Sequence, residues 1–362
     1  MLDLEGIAKR VKDKVDKWAL GAPFFADPSY RSVDMSADNF TLFEPMPFHS
    51  KACYVDGGTL SLVDTPSVVI QLCRVGFCIF RDTERIEPSG FGPFFNFLTV
   101  ASVFKEGAEL YYGVEVFPLD EGAGKVLPAD DDLVFHPFDQ TLREGQRWAS
   151  LSRAASSARV FAEWRLSALL IENELSEGDS LLRDGSLQTT ITGESKYADL
   201  AYGEALRTGV RFAGLSKTST LYTDTGMPLF SAIAILAKRN NFDSPWFYSP
   251  IVEIQASDHR ARMYAVKLHR DSRYVFRLEM LKDQSVEGDF SLIQGLAFNS
   301  QDLTFPGYPY GLIEADRVSR VRREEVEPMR LQVLSAITRM GVWDELEAFL
   351  RSVDAHEVLD NI

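Results

Sequence analysis

The sequence predicts an α/β fold built on a mixed sheet with helices packed on its faces. Three β-prone runs, at 52–63, 67–81 and 109–119, come early in the chain and follow one another like hairpin strands. A long helical stretch over about 141–177 comes next, and strands then alternate with helices. Hairpins followed by a long helix are typical of a crossover that returns the chain to the same sheet.

The elements around this core are predicted in chain order. Residues 1–20 predict an amphipathic helix, and residues 21–50, rich in Pro, Phe and Asp, predict an irregular segment. The segment PSGFGPFFNF (88–97) predicts a loop because of its Pro and Gly content. Spacing of three to four residues in the long helix predicts a buried face made of Val160, Trp164, Ala168, Ile171 and Leu175.

Shorter elements follow the long helix. We predict strands at 181–184, at 214–219, at 250–256, at 261–269 and at 273–281, and helices at 195–207, at 286–298 and, in a broken form, at 309–349. The predicted organisation is an N-terminal helix and irregular segment (1–50), one central domain (51–325) and a C-terminal helical extension (326–362).

Length and composition indicate an ordinary globular protein. The 362 residues correspond to one large domain or two ordinary ones, and 45% of them are hydrophobic. No apolar run reaches the roughly 18 residues that span a bilayer, and the N-terminus lacks the apolar block of a signal peptide. Cys53, Cys73 and Cys78 have no metal-like spacing, so we predict buried thiols in a reducing cytoplasm.

The net charge of −15 argues against a nucleic-acid partner at first, but binding depends on the local field. Many acidic residues lie in segment 120–139. Basic residues cluster elsewhere, as Lys267, His269, Arg270, Arg273 and Arg277 and as Arg317, Arg320, Arg322 and Arg323. These clusters predict either a nucleic-acid groove or a solvated strand edge and helix face.

Two β-prone runs each end in an aspartate followed by glycine. Asp56 lies in ACYVDGGTLSLV (52–63) and Asp184 lies in SLLRDGSLQT (180–189). If the two strands are neighbours, both carboxylates lie at one sheet edge, where ligand sites collect, and they suit Mg²⁺ or Mn²⁺. The glycines would let a phosphodiester backbone approach the metal. The alternative is that each aspartate only forms a turn before glycine.

A third carboxylate is expected from the long helix. Glu163 borders the predicted Val160/Trp164 stripe and can therefore point toward the sheet end. Its alternative role is an exposed ion pair with Arg159 four residues earlier, which would contribute only about 0.3 kcal/mol.

Other kinds of site are not supported. The sequence has no GxxxxGK phosphate loop, its five histidines are too scattered for a zinc site, and Ser186 lacks the GxSxG elbow of serine hydrolases. The run FGPFFNF predicts either loop packing or stacking on unpaired bases.

Five motifs in order resemble the NurA nuclease family: YVDGGTLSL, ARVFAEWRL, LLRDGSLQT, GLSKTS and FPGYPYGLIEADRVSRV. The resemblance covers about residues 50–325. It implies an RNase H-like core, flanked here by the predicted N-terminal and C-terminal helical extensions, and catalysis with a divalent metal, commonly manganese. It also implies DNA exonuclease and single-strand endonuclease activity on single strands and duplex ends. Family members form homodimers that enclose a channel and work with the hexameric ATPase HerA in DNA end resection.

The resemblance assigns metal ligands to three residues of this chain. Asp56 matches the first family aspartate, Asp184 matches the aspartate of the second Asp-Gly motif, and Glu163 matches the helical glutamate.

Three more residues of the site follow from the later motifs. Tyr308 matches the tyrosine of the GYP motif, and Lys217 in GLSKTS is a candidate cation for a phosphate. Asp316 stands where many family members carry a histidine. An aspartate still binds a hard cation, but it does not donate a proton near pH 7.

The implied mechanism is two-metal hydrolysis, with two Mn²⁺ or Mg²⁺ ions about 3.5–4 Å apart. Asp56, Asp184, Glu163 and Asp316 would hold them, and protein with Mn²⁺ would melt at a higher temperature than apo protein. Two alternatives remain: a non-catalytic RNase H-like scaffold that binds DNA or docks an ATPase, and a phosphoesterase acting on small nucleotides.

Overall fold

The computed structural model describes residues 3–15, 19–143 and 145–341. The α-helices in this part of the chain are α1 (Leu4–Val15), α2 (Leu151–Glu174), α3 (Glu194–Thr208), α4 (Leu229–Arg239), α5 (Glu287–Phe298), α6 (Tyr310–Ser319) and α7 (Arg323–Arg339). The strands are β1 (Pro23–Phe24), β2 (Tyr30–Ser32), β3 (Phe40–Leu42), β4 (Lys51–Asp64), β5 (Val68–Arg81), β6 (Glu84–Ile86), β7 (Phe94–Glu106), β8 (Glu109–Pro118), β9 (Val134–Phe135), β10 (Ser180–Asp184), β11 (Arg211–Ser216), β12 (Tyr222–Thr223), β13 (Trp246–Tyr248), β14 (Val252–Ile254), β15 (Ala261–Lys267) and β16 (Phe276–Leu281).

The described residues fall into two compact units. The first comprises the chain up to His49, Asp184–Gln188 and Ala213–Tyr310. The second comprises Ser50–Arg183, Thr189–Phe212 and the described residues from Gly311 onward. The boundaries expected from the sequence near residues 50 and 325 stay a prediction.

The second unit contains a mixed sheet with the strand order β10-β4-β5-β7-β8-β9. Strand β10 runs parallel to β4, with Leu182 opposite Tyr54 and Arg183 opposite Val55, whereas the other neighbours in this order are antiparallel. Helix α2 packs on β4, β5, β7 and β8, and α3 packs on α2. The condition stated for the sequence, that the strands containing Asp56 and Asp184 are neighbours, is therefore met.

The long helix α2 is shorter and more buried than predicted. It begins at Leu151 rather than near 141, because Gly145 has a left-handed φ of 68° that a right-handed helix does not accept. Of the predicted buried face, Trp164, Ile171 and Leu175 are buried, whereas Val160 and Ala168 are half-buried. Residues on further sides are also buried, among them Phe161, Leu166 and Leu170, because both the sheet and α3 cover this helix.

No strand was predicted between 81 and 109, and the loop predicted at 88–97 is partly wrong, because the 13-residue strand β7 begins at Phe94. Phe94 pairs with Gly76 and Phe97 pairs with Cys73 on β5. Phenylalanine favours strands, and these cross-strand pairs outweigh the local Pro and Gly signal that precedes them.

The first unit contains antiparallel sheet strands in the order β3-β13-β15-β16-β11. The segment predicted to be irregular, 21–50, contributes β3 to this sheet and pairs β1 with β12 and β2 with β14. Helix α4 and strand β13 were not predicted from the sequence. The α4 run LFSAIAILA is apolar on most sides, so its periodicity does not separate helix from strand.

The C-terminal helical segment is broken, as predicted, between Ser319 and Arg323. In the second unit, Val326 of α7 packs against Leu62, Val63, Ile70 and Leu72. The part of the predicted C-terminal extension beyond 341, and residues 1–2 and 16–18 of the predicted N-terminal helix, lie outside the described residues.

The three cysteines are buried thiols, as expected. Within the described ranges, no helix is both long enough and apolar enough to cross a bilayer.

Candidate active site

The two predicted aspartates each follow a residue of the last pair in the parallel β4–β10 ladder. Val55 of β4 lies opposite Arg183 of β10, and along the chain Asp56 follows the first and Asp184 the second. Asp184 is the last residue of β10, as predicted. The prediction that a strand ends at Asp56 is wrong, because pairing with β5 continues β4 through Asp56 to Asp64. The Asp56 carboxylate accepts a hydrogen bond from the Gly57 amide at 2.7 Å.

The glycines after the two aspartates differ in what surrounds them. A side chain on Gly57 would collide with the Glu163 carboxylate, and one on Gly58 would collide with the Ser319 carbonyl oxygen. These two glycines therefore admit protein groups rather than a DNA backbone. Gly185 has a φ of 116°, and apart from its chain neighbours no described atom lies within 4 Å of where its Cβ would be.

Glu163 is buried between two arginines of the second unit. One carboxylate oxygen pairs with Arg159 and the other accepts from Arg183 at 3.0 Å. The i, i+4 pair weighed from the sequence thus forms, but Glu163 is only 3% exposed. Burial would lower the pKa of Arg159, but the carboxylates of Glu163 and Asp56 outweigh this effect and raise it. Arg159 therefore balances the charge of both acids.

Arg183, which precedes Asp184, is fixed by an aromatic ring as well as by Glu163. Its guanidinium carbon lies 3.9 Å from the ring centroid of Trp164. The indole nitrogen of Trp164 donates to Glu194 at 2.8 Å, and Glu194 also accepts from the Thr190 amide at 2.7 Å. Planar stacking on an indole is a favoured environment for arginine, so the end of β10 is held rigidly inside the second unit.

In the first unit, Asp184 is paired with Lys217. The Lys217 Nζ lies 2.5 Å from the Asp184 carboxylate and 5.6 Å from the ring centroid of Tyr308. The lysine side chain is 43% exposed, so its ammonium is accessible to a ligand. Tyr308 itself is buried, and its ring packs on Phe305 at 5.2 Å and on Phe276 at 5.3 Å. Tyr308 is therefore a packed residue of the first unit.

Asp316 lies on α6 and pairs with Arg320 one turn later. The Asp316 side chain is partly exposed, and an exposed ion pair of this kind contributes about 0–1 kcal/mol. The carboxylate is therefore available to a stronger ligand.

The chemistry of the four acids fits a hard divalent cation, because carboxylate oxygens are its preferred ligands. In the described parts of the chain, however, no group of three or more His, Cys, Asp or Glu side chains is arranged to hold a metal ion. Glu163, Asp184 and Asp316 are each paired with an arginine or lysine instead. The donor types fit, whereas their present positions do not form a complete ligand shell.

Two charged residues near the candidate site residues, Arg183 and Glu279, were not identified from the sequence. Arg183 was visible only as the charged neighbour of Asp184, and nothing local indicated its stacking on Trp164. Glu279 lies on β16 and contacts the segment that follows Asp184. Its signal was an acid within the apolar run FRLEML, a pattern that indicates a buried charge needing partners.

The model of the NurA domain family matches residues 53–321 of this chain. The chain belongs to the NurA domain family. The match contains Asp56, Glu163, Asp184, Tyr308 and Asp316. A comparison with curated protein sequences gives no significant match.

The NurA domain is also similar to solved structures. The NurA nuclease from Sulfolobus solfataricus matches with a TM-score of 0.54 at 10% identity, over 93% of this chain and 95% of that chain. A NurA bound to dAMP and manganese matches with a TM-score of 0.40 at 9% identity, over 89% and 92% of the two chains. The catalytic domain of human endonuclease V matches at 0.34 and 12% identity, over 87% and 95%.

These findings confirm the predicted fold class, an RNase H-like mixed sheet with flanking helices. They confirm the family resemblance as well, and membership of the NurA domain family supports a nuclease whose substrate is DNA.

Proposed function

We propose that this NurA domain is a divalent-metal-dependent DNA nuclease, acting as an exonuclease and as a single-strand endonuclease. The observation that supports it best is the parallel register in which Val55 faces Arg183, each followed by an aspartate. Asp184 ends β10, and a carboxylate at the end of a parallel strand is well placed for a ligand, whereas Asp56 lies within β4. Glu163 adds a third carboxylate, which lies against Gly57.

Four acids are proposed to hold the metal: Asp56, Glu163, Asp184 and Asp316. We propose two ions, and when bound, Mn²⁺ or Mg²⁺ would polarise the phosphate and lower the pKa of a bound water. Arg159 and Arg183 already neutralise Glu163, so they limit the repulsion among acids within the second unit.

Lys217 is proposed to bind a phosphate oxygen of the DNA. Its ammonium is partly exposed and at present pairs with Asp184. When DNA binds, the Lys217 ammonium would move from the Asp184 carboxylate to a phosphate oxygen and would neutralise part of the phosphate charge. The packed ring of Tyr308 lies beneath the lysine and would limit the positions that the ammonium takes.

Asp316 changes the proposed chemistry relative to many family members. An aspartate at this position binds a hard cation but supplies no proton near pH 7. Protonation of the leaving oxygen would then depend on water rather than on a histidine.

We further propose a HerA-like hexameric ATPase as partner, a homodimer as the assembly, and a cytoplasmic role in DNA end resection and repair. The partner, the assembly and the pathway rest on the family resemblance. Cys53, Cys73 and Cys78 are unpaired thiols, which suits a reducing compartment.

The second candidate function is a non-catalytic scaffold that binds DNA or docks an ATPase. It is favoured by the pairing of acids with arginine or lysine and by the lack of a three-ligand group among the described residues.

Cleavage of labelled single-stranded and blunt duplex DNA separates the two functions. Wild type, Asp184→Asn and the control Asp243→Asn, which removes the same charge from an exposed loop of the first unit, are assayed with Mn²⁺, Mg²⁺ or EDTA. If the protein is a nuclease, we expect wild type and Asp243→Asn to cut DNA only with a metal ion, and Asp184→Asn not to cut it. DNA binding without cutting in any metal would support the scaffold, and cutting of mononucleotides alone would support a phosphoesterase.

A further inference from the structure

A buried glutamate contacts the segment that follows Asp184. Glu279 on β16 is 0% exposed. One of its carboxylate oxygens accepts from the Ser186 hydroxyl at 2.9 Å and from the Leu187 amide at 2.7 Å. Both donors lie within three residues of Asp184 along the chain, and all of these groups belong to the first unit.

The second oxygen of Glu279 is held by two basic side chains. Arg277 donates to it from Nε at 2.6 Å, and His259 Nε2 lies 2.9 Å away. Because an ionised carboxylate only accepts hydrogen bonds, His259 carries its proton on Nε2. Its Nδ1 lies 3.0 Å from the Tyr30 hydroxyl, so the partners of Glu279 are themselves held in place.

The charge state of Glu279 agrees with this geometry. Burial would raise the pKa of Glu279, but the hydrogen bond from His259, the charge of Arg277 and the Leu187 amide outweigh burial and lower it to about 2. The group is therefore an ionised acceptor at neutral pH, and charged hydrogen bonds are stronger than neutral ones.

The turn after Asp184 is fixed by further bonds. The Gly185 amide donates to the Leu215 carbonyl at 2.9 Å, and Ser186 Oγ accepts from the Gln188 amide at 2.9 Å and from Arg277 at 3.2 Å. Gly214 has no room for a side chain, because a Cβ there would lie 2.5 Å from the Gly185 carbonyl oxygen. Backbone and side-chain bonds thus hold each residue from Gly185 to Gln188.

We propose that Glu279 is a positioning residue for the proposed nuclease site, in which it fixes the turn 185–187 and thereby the orientation of the Asp184 carboxylate. The inference rests on the proposed function, because it assumes that Asp184 binds metal. Catalytic groups must be held to within about 0.5 Å, and a 1 Å displacement costs about 10²-fold in rate. A glycine with open space around its Cβ position does not supply that rigidity, whereas the buried carboxylate does.

A second buried acid of the first unit provides a matched control. Asp289 is 3% exposed and accepts from the Tyr264 hydroxyl at 2.7 Å and from Arg262 at 2.8 Å. Tyr264→Phe removes a buried hydrogen bond to a carboxylate, as Ser186→Ala does at Glu279, and it leaves the turn 185–187 unchanged.

The test compares wild type, Glu279→Gln, Ser186→Ala and Tyr264→Phe in steady-state DNA cleavage over a Mn²⁺ titration. We expect Glu279→Gln and Ser186→Ala to lower kcat by about tenfold or more and to raise the half-saturating Mn²⁺ concentration, with KM for DNA within about twofold. Saturating Mn²⁺ would restore part of the rate of Ser186→Ala. Tyr264→Phe is expected to match wild type in all three quantities.

Hydrogen exchange supplies a readout that does not depend on activity. Peptides containing Leu187 should exchange faster in Ser186→Ala and Glu279→Gln than in wild type or Tyr264→Phe. Ser186→Ala is the informative variant if Glu279→Gln does not fold.

The outcomes separate the two proposals. If wild type cleaves and Ser186→Ala behaves like Tyr264→Phe in kinetics and in exchange, the positioning role is wrong and the nuclease stands. If wild type does not cleave with any metal, the proposed function fails and the role of Glu279 in it fails too. Faster exchange would then show only that Glu279 stabilises the turn.

Discussion

Lys217 and Asp184 form an ion pair in the first unit, with 2.5 Å between the ammonium nitrogen and a carboxylate oxygen. The carboxylate side chain is 12% exposed and the lysine side chain is 43% exposed. The lysine therefore occupies a coordination position of the aspartate while it remains accessible to solvent and to an anion.

Removal of the Lys217 ammonium should have opposite effects on metal affinity and on the rate of cleavage. Lys217→Met is expected to lower the half-saturating Mn²⁺ concentration, because the ammonium no longer competes for Asp184. It should lower kcat by about tenfold, because the phosphate loses a cation worth roughly 1–2 kcal/mol. Cleavage rates over a Mn²⁺ titration measure both quantities. Lys238→Met, which changes an exposed lysine on α4, serves as the control. A half-saturating Mn²⁺ concentration that is higher in Lys217→Met than in wild type would contradict competition between the lysine and the metal for Asp184.

Metal should stabilise the folded protein. A ligand present at about 100 times its Kd and bound only to the native state adds about 2.7 kcal/mol to the free energy of unfolding. We therefore expect Mn²⁺ to raise the Tm of wild type, measured by thermal scanning with EDTA as reference, and Asp184→Asn to lose most of this increase. Equal Tm values for wild type with Mn²⁺ and with EDTA would speak against the proposed metal site.

The buried pair of Arg183 and Glu163 should matter more for stability than an exposed pair. Arg183→Met is expected to lower the free energy of unfolding by about 3 kcal/mol, because it leaves Glu163 buried with one cation instead of two and removes the stacking on Trp164. Urea denaturation measures the change. Arg207→Met breaks the exposed pair with Glu204 and should cost less than about 1 kcal/mol. Similar losses in the two variants would show that burial does not strengthen the Arg183 pair.

Glu279 should make stability depend on pH in the acid range. Its pKa in the folded protein is lowered from 4.5 to about 2, so its contribution is fully present above about pH 4.5 and is lost as the pH falls toward 2. The lowering corresponds to about 3 kcal/mol, and its main causes are the hydrogen bond from His259 and the charge of Arg277, which outweigh burial. The effect is measured by the free energies of unfolding of wild type and Glu279→Gln between about pH 2.5 and pH 5, the range set by the two pKa values.

In that comparison the wild-type curve should rise with pH more steeply than the variant curve. Parallel curves would mean that other carboxylates dominate acid unfolding.

The local features of this protein were legible in the sequence. The two Asp-Gly pairs, most of the strands and helices around the long helix, and the five family motifs all depend on residues close together in the chain. They were sufficient for the fold class and for the family. A crossover helix returns the chain to the same sheet, but the sequence left open whether the strands that contain Val55 and Arg183 are neighbours, which the parallel pairing of β4 with β10 decides.

Elements whose stability comes from distant partners were predicted less well. The start of β7 depends on its pairing with β5, and the extra burial of α2 depends on α3. In each case the local signal was outweighed by contacts that a window of the sequence does not contain.

The sequence by itself thus determined which acids this NurA domain has and where in the chain they stand. Only the tertiary structure decided how they are held. Glu163 is buried between Arg159 and Arg183, and Glu279 binds Ser186 from 93 positions away along the chain. A buried charge needs partners wherever the fold brings them, and their separation along the chain follows no local period.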